Sequence, residues 1–337
     1  MPHVTTRQIV LKNYPHLIPN HHDVAIKHVT LELKFTGYIL VKILFISVDP
    51  YMRQRLRPAG LCHLPIFKLH MPLESLAIAE VVATHSDDFK VGDKVMGMLP
   101  WQDYAVISVS KVQSIYADLS MPMQLSALGM TGFTAYVGLK KLISIRSGET
   151  LFISAAAGAV GSIAGQIARL MQTNVIGCVG NEEKVCFVKQ VLKFDAVFNY
   201  KKYSTQLNHI IAEYCPNGID IDFENVGGEL FEAVIGRMNF NSKIILCGLI
   251  AQYNTDKPRR SPNNFSLLMR KKTAVIPYIV TDYVEKYWDE FRTQMRHWLL
   301  TEQIKSYETI TFGLENTWTA FIGLFSGKNI GKQIVCL

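Results

Sequence analysis

An α/β fold, a doubly wound parallel sheet joined to a second and mostly β domain, is the class this sequence predicts, and three observations predict it. Short apolar runs alternate with helix-period stretches through the middle of the chain, the pattern of parallel strands with crossover helices. A turn of small residues, Gly158-Ala159-Val160-Gly161, joins the first of those runs to the first of those helices. Before it lie β-rich runs broken by turn residues. At 337 residues the chain exceeds one typical core, so two domains are expected.

The early β-rich runs are "YILVKILFISVDPYM", "AIAEVVAT" and "DYAVIS", and in "FKVGDKVMGM" the pair Gly92-Asp93 forms a hairpin-like turn. In the middle, Thr150, Leu151, Phe152 and Ile153 make the first strand. The segment "SAAAGAVGSIAGQIARL" (154–170) then extends a charge-free stretch that runs from Leu151 to Ala168. A membrane span needs about 20 strongly apolar residues. This stretch is mostly Ala, Gly and Ser, with Gln166 inside it and Arg169 close behind, while Ile163, Ile167 and Leu170 recur at helical spacing. It reads as strand, glycine turn, helix.

"NVIGCVG" (174–180) is a second strand, and "NEEKVCFVKQVLKF" a helix that opens on an Asn181 cap with acids in its first turn. "DAVFNY" (195–200), "IDIDFENVGG" (219–228) and "SKIILCGLI" (242–250) supply further strands, with helices near 204–213 and 229–238. The last segment, "ETITFGLENTWTAFIGLFSGKNIGKQIVCL", holds a strand, an amphipathic helix with Trp318, Phe321 and Leu324 on one face, a Gly-rich turn and a final strand. It is expected to return to the first domain.

Ligands of such sheets lie past the carboxyl ends of the strands. Small residues at Gly158 to Gly161 let the backbone approach a diphosphate, and the free amides of a helix start face an anion with the positive end of the dipole behind them. The turn lacks the full three-glycine fingerprint, so by itself it also fits a plain tight turn; the alternating strands around it favour a nucleotide. An enzyme that selects the unphosphorylated cofactor usually closes its second strand with an acid. Here that position is Gly180, followed by Asn181. Lys184, one helical turn on, and Tyr200, at the end of a neighbouring strand, are suited to a 2′-phosphate, which selects NADPH. The rival reading leaves Lys184 solvated, with Glu182 and Glu183 only complementing the helix dipole.

Composition sets limits. With 49% hydrophobic and 19% charged residues the chain is globular rather than disordered. The N-terminus lacks the unbroken apolar segment of a secretory signal, and six scattered cysteines point to reduced thiols, so a cytoplasmic protein is expected. A formal charge of +7 and the tract holding Lys257, Arg259, Arg260, Arg270, Lys271 and Lys272 raise nucleic acid as a partner. Without stacking aromatics or a nucleic-acid fold, that tract reads as a solvated surface loop.

Eight blocks, in order, carry a resemblance: "SVDPYMR", "FKVGDKV", "GMTGFTAYVGL", "AAAGAVGS", "FDAVFNYK", "IDFENVGGE", "CGLIAQYN" and "GKNIGKQIV". Together they resemble the zinc-independent medium-chain dehydrogenase/reductases, most closely the prostaglandin, leukotriene and alkenal double-bond reductases and the bacterial curcumin-reductase-like proteins. The resemblance implies a Rossmann-type NADPH-binding domain at 123–304 and a GroES-like catalytic domain at 1–122 with 305–337. It also implies a homodimer and a small enal or enone substrate. Zinc-dependent relatives place an early Cys, a Gly-His-Glu block and a later Cys on their metal. Here the early position falls in Ser47-Val48-Asp49 and no Gly-His-Glu occurs, while Cys62, His63 and His70 match no standard spacing. No metal is expected.

Without a Lewis acid an activated C=C is the gentler target, since hydride addition to the β-carbon leaves an enolate that needs only a hydrogen-bond donor. The resemblance offers Tyr253 as that donor and Tyr51 as a wall of the substrate pocket; the plainer role for each is packing. It places the backbone of Gly158, Ala159, Val160 and Gly161 at the diphosphate and Lys184 with Tyr200 at the 2′-phosphate. Asn225, Cys247, Gly248, Leu249, Ile250, Ala251, Gln252 and Tyr253 line the dinucleotide. Tyr278, Ile279 and Val280, with Thr134, border the nicotinamide, which Asn329 reaches from the C-terminal segment. Asn225 and Asn329 are equally suited to turns, and Cys247 reads as a small buried residue rather than a nucleophile. The chain departs from the family at Thr131, where Pro is general, at Pro277, where Gly is general, and in "LESLAIAEV", where a glycine-rich stretch is general. Substrate shape is therefore not carried over. Two other readings stand beside the enone reductase: a quinone oxidoreductase of the same superfamily, and a low-turnover NADPH-binding or RNA-associated protein.

Overall fold

The computed structural model describes residues 3–58, 64–255 and 262–337. Its contacts divide the chain into two units, one of residues 1–125, 308–329 and 333–337 and the other of residues 126–307 and 330–332.

The second unit is built on six strands, all parallel: Thr150–Ile153, Asn174–Val179, Ala196–Asn199, Ile219–Glu224, Met238–Leu246 and Ala274–Pro277. Numbered in that order they lie 3-2-1-4-5-6, the doubly wound order in which the chain reverses direction beside the first strand. Crossover helices Ala159–Leu170, Leu207–Tyr214 and Gly228–Arg237 cover the sheet. One of its apolar clusters joins Phe152, Ile176 and Ile244 of the strands to Ile210, Ile211, Leu230 and Val234 of the last two helices. The sixth strand carries no clear signal in the sequence, since it ends on a proline. Pro277 pairs with Leu246 only, and at a sheet edge the missing N–H is tolerated. The tract read as a basic loop is partly helical, Ser266–Lys271, and closes on Lys272 in the left-handed region; Lys257, Arg259 and Arg260 lie outside the described residues.

The first unit centres on Tyr38–Ser47, which pairs antiparallel with Glu74–Thr84, Tyr104–Ser108 and the C-terminal Lys332–Cys336. Gly92, at φ 95°, makes the turn between Glu74–Thr84 and Lys94–Pro100, its N–H donating to the Val81 carbonyl at 2.8 Å. Inward residues at period two, among them Ile39, Val41, Ile43, Ala77, Ala79 and Val81, are fully buried. The C-terminal helix Thr317–Phe325 closes that core with Trp318 and Phe321, and Trp318 meets Trp101 edge-on at 6.4 Å. Among the described residues no helix is long and apolar enough to cross a membrane.

Candidate functional site

The glycine turn follows the first strand of the parallel sheet. Gly158 is the N-cap of helix Ala159–Leu170, and with no side chain there, no side-chain cap is made. The amides of Ala159, Val160 and Gly161 therefore open a 12-residue helix as an anion-ready terminus. The turn itself is braced. Gly158 N–H donates to Ala155 O at 2.8 Å, and Gly331 N–H donates to Ala157 O at 2.8 Å. Gly161 has to be glycine, because a Cβ would lie 2.5 Å from Ala155 O and 3.0 Å from Ala156 Cα, both backbone. Gly161→Val is expected to lower unfolding free energy by about 2–3 kcal/mol, read as a fall in the urea midpoint; an unmoved midpoint would refute the close approach.

At the end of the second strand the absent acid has two cations in its place. Lys201, which follows Tyr200 and has no sequence motif to mark it, lays its side chain over Gly180, with Nζ 3.5 Å from where a Cβ would stand. Burial first, then the charge of Lys201, pushes the Lys184 ammonium below its ordinary pKa. Among the described residues neither lysine forms an ion pair, and the charge of Glu183 offsets only part of the depression of Lys184. Two neighbouring ammonium groups, one half-buried, oppose each other unless an anion joins them. Tyr200, whose hydroxyl is pushed up mainly by burial, stands next to Lys201 in the chain. The residues present thus fit a phosphate group.

The ends of the first, fourth and fifth strands are laced together. Asn225 donates from its backbone to Ser154 Oγ at 2.7 Å and from its side chain to Ser154 O at 2.8 Å. Its own carbonyl accepts from Ile250 N at 3.1 Å, while Cys247 and Gly248 donate to Glu224 O. So the Asn225 side chain is committed to fastening the loop. Segment 247–253 runs from there through Leu249 into the turn Ile250–Gln252 and on to Tyr253, whose hydroxyl comes 3.5 Å from a Cβ position on Gly248. Ala251 donates to Val226 O, and Gln252 to Leu249 O.

Tyr278 follows the sixth strand and donates to the Thr134 carbonyl at 2.9 Å. Beside it the Cys247 thiol has its pKa pushed up by burial to about 12, so that thiol is inert at neutral pH. Ile279 is partly exposed and Val280 opens a short turn. Thr134 Oγ1 is occupied by Met130 O at 2.8 Å, leaving the Thr134 carbonyl as its outward contribution. In the first unit, Tyr51 precedes the helix Met52–Arg55 and packs against that unit's core. Asn329 also belongs there, immediately before residues 330–332 of the second unit. Cys62 and His63 lie outside the described residues. Among the described residues no group of three or more His, Cys, Asp or Glu is placed to hold a metal ion.

Residues 7–115 match the family described as the N-terminal domain of oxidoreductase, and residues 159–300 that described as zinc-binding dehydrogenase. The NADP(+)-dependent 2-alkenal reductase of Nicotiana tabacum is 37% identical, across 98% of this chain and 97% of that protein. The NADPH-dependent curcumin reductase of Escherichia coli (strain K12) is 33% identical, across 98% and 96%. The crystal structure of CurA in complex with NADPH from Vibrio vulnificus superposes with a TM-score of 0.91 at 36% identity, covering 98% of each chain. With that likeness running through both units, the chain belongs to the zinc-independent medium-chain dehydrogenase/reductases.

Proposed function

We propose that this chain is an NADPH-dependent reductase of the activated C=C bond of α,β-unsaturated aldehydes and ketones, working without a metal; the family expectation of a cytoplasmic homodimer goes with that reading. The observation that carries it is the lysine pair at Gly180. Lys184 and Lys201 converge, neither of them in an ion pair, on the strand end where an acid would favour the unphosphorylated cofactor. A 2′-phosphate would answer both charges, with Tyr200 as a further donor. The activities named for the curated relatives support the same reading.

On this reading the amides of Ala159, Val160 and Gly161 take the diphosphate. Asn225 and residues 247–253 line the dinucleotide, and Thr134, Tyr278, Ile279 and Val280 border its nicotinamide end, to which Asn329 reaches. When bound, NADPH supplies a hydride to the substrate β-carbon. The chain's own part is to hold the substrate carbonyl oxygen as it becomes an enolate. Burial pushes the Tyr253 phenol up, so it is a neutral donor at physiological pH. Tyr51 serves as a wall of the substrate pocket.

The test is NADPH against NADH consumption over a homologous series of enals, repeated with Tyr253→Phe. NADPH is expected to be preferred, and the variant to lose about 10²-fold in kcat with cofactor affinity little changed. Undiminished kcat would remove Tyr253 from the proton-donor role. NADPH oxidation by quinones but not by enals would replace the substrate class with a quinone.

A further inference from the structure

Glu224 ends the fourth strand, is fully buried, and faces the first strand rather than solvent. One of its oxygens, Oε1, accepts three hydrogen bonds: from Ser154 Oγ at 3.1 Å, from Gly227 N at 2.6 Å and from Val226 N. Ser154 passes the connection on, because its Oγ accepts from the Asn225 backbone amide. A single carboxylate oxygen therefore fixes the turn 225–228, and through Ser154 the start of the glycine loop. The other oxygen, Oε2, is buried with no partner.

Among the described residues, the titratable groups found facing this carboxyl are all acidic. Asp222 lies two residues back on the same strand face, Cys178 on the second strand, Tyr200 after the third and Cys247 after the fifth. Burial pushes all four upward, and among the described residues no cation pairs with Glu224.

We propose that Glu224 is the positioning residue of the cofactor loop, its ionised carboxylate holding residues 225–228 in the ligand-ready shape and its protonation loosening them. The proposal rests on the NADPH reading of the site. Charge-assisted bonds from Ser154, Val226 and Gly227 are roughly twice as strong as the neutral bonds left after protonation. Burial raises this carboxyl to about 7, against the opposing pull of those same donors, so the switch falls within the physiological range. The loop is accordingly tight above that pH and loose below it.

Two measurements on the full chain test this. Hydrogen exchange of the peptide covering 225–228, without cofactor and corrected for intrinsic rate, is expected to gain at least about tenfold protection between pH 5.5 and 8.5. NADP+ affinity by titration is expected to rise about tenfold over the same range. Glu224→Gln, a fixed neutral acceptor, should hold the low-pH value of both at every pH, leaving only the titration of the ligand's own phosphate. A flat exchange profile in the native protein, or parallel pH profiles for native and Glu224→Gln, overturns the proposal. A step in exchange with no NADP+ binding at any pH overturns the cofactor reading alone, and Glu224's hold on the loop stands.

Discussion

Asp222→Val is expected to stabilise the folded protein by about 2–4 kcal/mol at pH 7, an unusual sign for a substitution in a core. Asp222 is fully buried, and neither carboxyl oxygen has a hydrogen-bond partner. Its neighbours across the sheet are Phe152 and Ile244, both in the apolar cluster under the crossover helices. Burial, and then the charge of Glu224, pushes its pKa well above the ordinary carboxylate range. Asp222 is therefore harder to ionise in the folded chain than in the unfolded one.

The pH dependence follows from that direction. Below the ordinary carboxylate range both folded and unfolded chains hold the proton, and Asp222 costs only its unmet hydrogen bonds. Above it the unfolded chain ionises while the folded one does not, so each pH unit removes about 1.4 kcal/mol of stability until the folded carboxyl ionises as well. Valine, a β-former of similar size, abolishes that slope. Urea unfolding of native protein and variant from pH 4 to pH 8 should show curves that diverge as pH rises. Parallel curves, or a less stable variant at pH 7, would mean that the carboxyl is satisfied in solution.

The second large effect concerns the lysine pair. Lys184→Ala and Lys201→Ala are each expected to weaken NADPH binding by about 10- to 100-fold, the worth of one charged hydrogen bond, while NADH binding changes little. Without cofactor, Lys201→Ala should also raise the pKa of Lys184, since like charge is one cause of its depression. Fluorescence titration with both dinucleotides reads the first effect, and NMR titration of the lysine ammonium reads the second. Equal losses for NADPH and NADH would show that the lysines do not contact a 2′-phosphate.

How much of this was legible differs from residue to residue, for physical reasons. The strand Thr150–Ile153, the helix after Gly158 and the Asn181 cap are local events, driven by apolar period, helix termini and side-chain capping within a few residues. The missing acid at Gly180 was legible too, since its position relative to the second strand is a matter of counting. What stands in its place was not. Lys201 lies 21 positions further on, and only the parallel pairing of Ala196–Asn199 with Asn174–Val179 brings the two ends together.

"IDIDFE" is the clearest case of the limit. Its alternation sets Asp and Glu among Ile and Phe, and the structure buries Asp222 and Glu224 as fully as their apolar neighbours. By itself the sequence determined the α/β class, the order of the first five strands of the parallel sheet, and a helix start free to meet an anion, because each depends on neighbours close along the chain. Only the tertiary structure decided that Asp222 sits in oil, that Glu224 anchors a loop, and that two lysines share one strand end. Burial and charge proximity are set by which distant strands and helices pack together, and side-chain spacing carries no record of that.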